Sequence, residues 1–95
     1  MGLDLSLEMS ISREEFLRLL PSAVGVAAIQ EVDGAFSEGH DDHRWTIRLL
    51  PLTDRQLGRV ILPRHRVDLH FDGYSEEEVE AFMTRFHRGF QRGGG

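Results

Sequence analysis

The densest run of chemically capable side chains is Gly39-His40-Asp41-Asp42-His43, where two imidazoles and two carboxylates occupy four consecutive residues. Zinc and related divalent cations accept nitrogen and carboxylate donors together, so His40, Asp41, Asp42 and His43 are the candidate metal ligands. The spacing matches no established zinc motif, and polar loops collect Asp and His by default, so a plain solvated loop is the competing expectation. Apart from that divalent metal, no cofactor is expected, because Gly34, Gly39 and Gly58 have neither Walker nor dinucleotide-binding spacing.

A second set lies on alternating residues. In Arg66-Val67-Asp68-Leu69-His70-Phe71-Asp72 every other side chain is apolar, which puts Asp68, His70 and Asp72 on one face of a strand. Arg44-Trp45-Thr46-Ile47-Arg48-Leu49 repeats the pattern with Arg44 and Arg48 on its polar face, and Asp4, Ser6 and Glu8 do the same near the start. If these strands are neighbours, opposite charges face one another across the ladder, each pair contributing about 0.2–1 kcal/mol. The face can therefore be simply solvated, or it can bind a partner through Arg44, Arg48, Asp68, His70 and Asp72. An Asp–His acid–base pair is a third possibility, but no serine nucleophile is placed beside His70.

Arg64-His65-Arg66, with Arg59 nearby, forms a small basic spot that could hold a phosphate or carboxylate, with a turn of solvated charges as the preferred expectation. All eleven basic residues are arginine, and the formal net charge is −5. A nucleic-acid partner is not expected, since positive charge does not dominate and no reader motif occurs. The absence of lysine excludes Schiff-base chemistry, and the absence of cysteine excludes disulfides, thiolate nucleophiles and Cys-ligated metals.

These residues must be positioned by a small scaffold. A chain of 95 residues supports one core, so residues 1–92 are expected to form a single domain and Gly93-Gly94-Gly95 a flexible end. Apolar runs such as Val26 to Ile29 fall far short of the roughly 20 residues that span a bilayer, so no membrane partner is expected. The first residues show no basic segment followed by an apolar run, and the expected location is cytoplasmic.

Leu3 to Met9 alternates as a half-buried strand. Ser12-Arg13-Glu14-Glu15 is a capping box with Ile11 and Phe16 as its hydrophobic staple, and the helix it opens is expected to stop at Pro21. Val24 to Val32 reads as a second strand ending in the turn Asp33-Gly34, and Ala35 to His43 as a hairpin arm opening into an exposed loop. Strands follow over Arg44–Leu49, Gln56–Leu62 and Arg66–Asp72, separated by turns at Pro51–Asp54 and Pro63–His65, with a bulge at Gly58. Ser75-Glu76-Glu77-Glu78 is a second capping box, and Val79, Phe82, Met83, Phe86 and Phe90 follow at helical spacing.

The expected fold is α+β, a two-layer sandwich in the order β-α-β-β-β-β-α, with a mostly antiparallel sheet and both helices on one face. Its core should contain Phe16, Leu20, Trp45, Ile47, Val67, Leu69, Phe71, Phe82 and Phe86. The functional expectation is a noncatalytic interaction module that contacts a protein partner, or a second copy as a homodimer, through the uncovered sheet face. The alternatives are a metal- or small-ligand-binding protein using His40 to His43, and an enzyme built on the Asp–His pair.

Overall fold

A computed structural model describes residues 2–94, with side chains through residue 91. The elements are β1 (Gly2–Met9), α1 (Arg13–Val24), β2 (Ala35–His40), β3 (His43–Leu57), β4 (Val60–Asp72) and α2 (Glu76–Gly94). One antiparallel sheet runs in the order β1-β4-β3-β2, and both helices pack on the same side of it. The α+β sandwich is thus as expected, with four strands in place of five.

Both N-caps form, the second as a complete capping box, while at α1 the Glu15 carboxylate pairs with Arg18. The Ser12 hydroxyl accepts the Glu15 N–H at 3.1 Å. At α2 the exchange is reciprocal: Ser75 Oγ accepts the Glu78 N–H at 3.1 Å, and Glu78 Oε1 accepts the Ser75 N–H at 2.9 Å. Each cap satisfies donors that a helix start would otherwise leave unpaired.

Helix α1 does not stop at Pro21 but continues to Val24. Proline inside a helix removes a hydrogen bond and crowds the preceding turn. Here the extra turn buries Ala23 where the two helices touch: a Cβ added at Gly89 would come within 2.6 Å of the Ala23 Cα. Packing outweighs the local preference.

The expected strand over Val24–Val32 is absent. Val24 ends α1, and Val24 and Ile29 reach the core margin from the helix end and the following irregular segment. Only Val32 bridges to Ala35, across the Asp33-Gly34 turn, whose φ angles of 53° and 77° are both positive as a type I′ turn requires. The hairpin arm expected from Ala35 is β2, but in place of an exposed loop it ends in a two-residue turn at Asp41-Asp42, with His40 paired to His43.

Pro51 and Pro63 do not make turns. They lie inside two long strands, β3 and β4, that meet at a tight turn over Gly58-Arg59. β2 pairs only as far as Arg48 and β1 only as far as His65, so both prolines lie where β3 or β4 has lost its outer neighbour and a missing N–H is tolerated. The irregularity is not at Gly58 but between Leu52 and Arg55, opposite Pro63. Beyond these limits the hairpin projects as a free two-stranded arm, in a molecule 47 Å long and 24 Å across.

The core joins Phe16, Leu20 and Ala23 of α1 to the inner sheet face and to Val79, Phe86 and Phe90 of α2. Phe82 packs against it half-buried, while Phe36, which falls in the expected loop, is fully buried on β2. α2 is traced through Gly94, and Gly95, the last residue of the expected flexible end, lies outside the described residues. No described helix is long and apolar enough to cross a membrane.

Candidate functional site: the open sheet face

Strand alternation and register together assemble the site. On the side away from the helices, Arg44 stands opposite Asp72, Thr46 opposite His70 and Arg48 opposite Asp68. β1 adds Asp4 beside His70 and Ser6 beside Asp68. The five expected partner-binding residues therefore share one face, and neither described helix covers it.

The charges do not pair as their register alone implies. His70 Nδ1 lies 2.6 Å from Asp4 Oδ1, and its Nε2 lies 3.0 Å from Asp72 Oδ1. An ionised carboxylate only accepts, so both contacts are hydrogen bonds when both ring nitrogens carry protons. The hydrogen bond to Asp4, then that to Asp72, accordingly raises the His70 pKa above its ordinary 6.5. In its doubly protonated form the imidazole has no lone pair for a substrate proton or a metal.

Asp68 is drawn toward β1 and along its own strand. It accepts from Ser6 Oγ at 2.7 Å and from Arg66 through Nε and Nη2, both at 3.1 Å. The Ser6 hydrogen bond, followed by that from Arg66, lowers its pKa.

The arginines across β3 are left without a carboxylate among the described residues. Arg44 donates to Ser37 Oγ at 3.2 Å and to the Gly39 carbonyl at 2.9 Å, and Arg48 to the Asp33 carbonyl at 3.3 Å. The acids of β1 and β4 are therefore held by His70, Arg64 and Arg66 on the same half of the face, whereas Arg44 and Arg48 on β3 have no carboxylate among the described residues. Between the halves is an open depression of about 440 Å³, lined by Asp4, Ser6, Thr46, Arg48, Asp68 and His70.

The expected metal loop is arranged differently. His43 stacks on Tyr74 with ring centroids 4.0 Å apart and an interplanar angle of 11°, and its Nε2 lies 2.9 Å from Glu78 Oε2. It fastens the β2–β3 turn to the start of α2, while His40 is exposed. Among the described residues no group of three or more His, Asp or Glu side chains is placed to hold a metal ion.

The basic spot is also dispersed. Arg64 pairs with Glu8 and Arg66 with Asp68, while His65 Nδ1 lies 2.8 Å from the Ile11 carbonyl and Arg59 is at the arm tip. The role of Asp4 as His70's partner depends on β1 lying beside β4, a long-range pairing without a local signal.

Fold and face define a small α+β two-layer domain with one side of its sheet packed and the other open and polar. No protein family, curated protein or solved structure matches this chain.

Proposed function

We propose that this protein is a noncatalytic interaction module that contacts a protein partner through the open face of its sheet. The observation carrying this reading is that Arg44 and Arg48 hold no carboxylate partner among the described residues, although Asp72 and Asp68 stand directly opposite them. A guanidinium bonded only to carbonyls and a hydroxyl can still form a charge-assisted bidentate pair with an incoming carboxylate. The shallow depression favours a surface partner over an engulfed small substrate.

The test is site-specific photo-crosslinking in native cell extract, with a photoreactive residue replacing Thr46 on the open face or Thr84 on α2. Adducts are expected at Thr46 and not at Thr84, and mass spectrometry identifies their second component. A chain that yields no protein adduct at Thr46 would overturn the reading.

A further inference from the structure

We propose that the partner is a second copy of this chain, stacked face to face about a two-fold axis running along β3 and β4. The inference rests on the reading of the open face as an interaction surface, and adds the occupant and its orientation.

The charge pattern selects the axis. A two-fold along the strands turns one sheet over the other while keeping its rows level, so β4 of each copy lies over β3 of the other. Asp72 then faces the second copy's Arg44, and Asp68 faces its Arg48, because these residues already share rows within one sheet. An isologous contact makes each pairing twice. A two-fold across the strands instead lays β4 over β4 and sets like charges against each other. Sheets packed face to face cross at about 30°, and the rows stay level best near the axis, where β3 and β4 run.

The arm extends the same surface. Alternation along β4 carries the open side from Asp68 to Leu62 and Val60, and Leu57 is directly opposite Val60. Leu57 and Val60 are 52% and 56% exposed, at the tip of a hairpin that has lost both outer strands. Where the two sheets stay aligned along the axis, the same two-fold brings Val60 toward the second copy's Leu57. One operation thus brings together the arginines without a carboxylate and the Leu57/Val60 side of the arm tip, while Ile61 on its other side stays exposed. The central strands offer a strip of about 40 Å by 15 Å, roughly 600 Å² in projection, approaching the ~800 Å² per partner of a standard interface.

The deciding experiment is analytical ultracentrifugation of the full chain from about 1 to 100 μM, the range in which moderate dimers dissociate. Wild type is expected to dimerise. The Arg44→Glu/Arg48→Glu and Asp68→Arg/Asp72→Arg double variants should each associate at least tenfold more weakly. Mixed together they should form a heterodimer, because the proposed axis sets every reversed charge against an opposite one. Wild type that stays monomeric at 100 μM, or a mixture that does not associate, would overturn the proposal.

If a charge-reversed chain fails to fold, Thr46→Cys gives the same decision in a chain otherwise free of cysteine. A short bismaleimide should link it into a dimer and leave Thr84→Cys unlinked; failure to link Thr46→Cys would also overturn the proposal. A monomeric chain that still crosslinks a different protein at Thr46 discards the second copy and retains the open face, whereas no adduct of any kind discards both.

Discussion

His70 on β4 is held between Asp4 and Asp72, with one carboxylate on each ring nitrogen, and through Asp4 it ties the edge strand β1 to the sheet. Its pKa is raised in the folded chain by these two hydrogen bonds. The stabilisation is fully present below the ordinary value of 6.5 and is lost as pH rises through the elevated one. Asp68, whose pKa is lowered, acts in the opposite sense: its contribution is present above the ordinary 3.8 and is lost as pH falls through the depressed value.

Urea denaturation should therefore show stability declining as pH rises above 6.5 through the elevated His70 value, by no more than the ~1 kcal/mol of an exposed ion pair. His70→Gln should abolish that slope and leave the acid limb intact. A slope unchanged by the substitution would disprove the assignment to His70.

What could be read in advance was local. Strand alternation placed Arg44, Arg48, Asp68, His70 and Asp72 on one face, and the two capping boxes marked both helix starts, because each signal resides in a few adjacent residues. The misread segments are those where tertiary context decides. Pro21 is carried through α1 because Ala23 meets Gly89, and Pro51 and Pro63 are tolerated in strands because β2 and β1 end before reaching them. Val24 to Val32 has apolar residues in both strand parities and packs without forming a ladder. The pairing of His70 with Asp4 joins residues 66 positions apart, so no short motif records it.

Gly73 joins β4 to α2 with φ at 75°, and a Cβ there would stand 1.7 Å from the Asp42 carbonyl oxygen. Gly34 has nearly the same φ, 77°, but its nearest atom would be an Arg48 nitrogen 4.0 Å away. Gly34→Ala should cost about 1 kcal/mol, the price of the left-handed backbone alone. Gly73→Ala carries that strain and also drives the β2–β3 turn off the helix start, for a loss of about 3 kcal/mol or more. Equal losses in urea denaturation would mean that the close contact with Asp42 has no energetic weight.

Glu78 serves two partners at once, closing the cap with Ser75 and meeting His43 through its other oxygen. The Ser75 backbone hydrogen bond, then the one from His43, lowers its pKa below the ordinary 4.5, so its stabilisation is lost as pH falls through the depressed value. Glutamine can also close a capping box, so Glu78→Gln should retain helix α2 with only a small loss of stability. Ser75→Ala removes the hydroxyl that caps the Glu78 N–H and should cost about 1 kcal/mol. The expected order, Ser75→Ala below Glu78→Gln in thermal stability, reverses if the His43 contact outweighs the cap.

The histidines also set the net charge. The chain carries a formal −5 with its five histidines neutral, so protonating all five cancels it while most carboxylates remain ionised. Loss of net charge removes the repulsion that keeps copies apart, and polyethylene-glycol precipitation should need progressively less precipitant as pH falls from about 7.5 to about 5.5. Asp4 and Asp72 raise the His70 pKa above its ordinary value. His70→Gln removes one of the five protons and should leave the chain near −1 at the lower pH, measurably more soluble there than wild type. A midpoint that does not move with pH would show that the precipitation boundary is not governed by net charge.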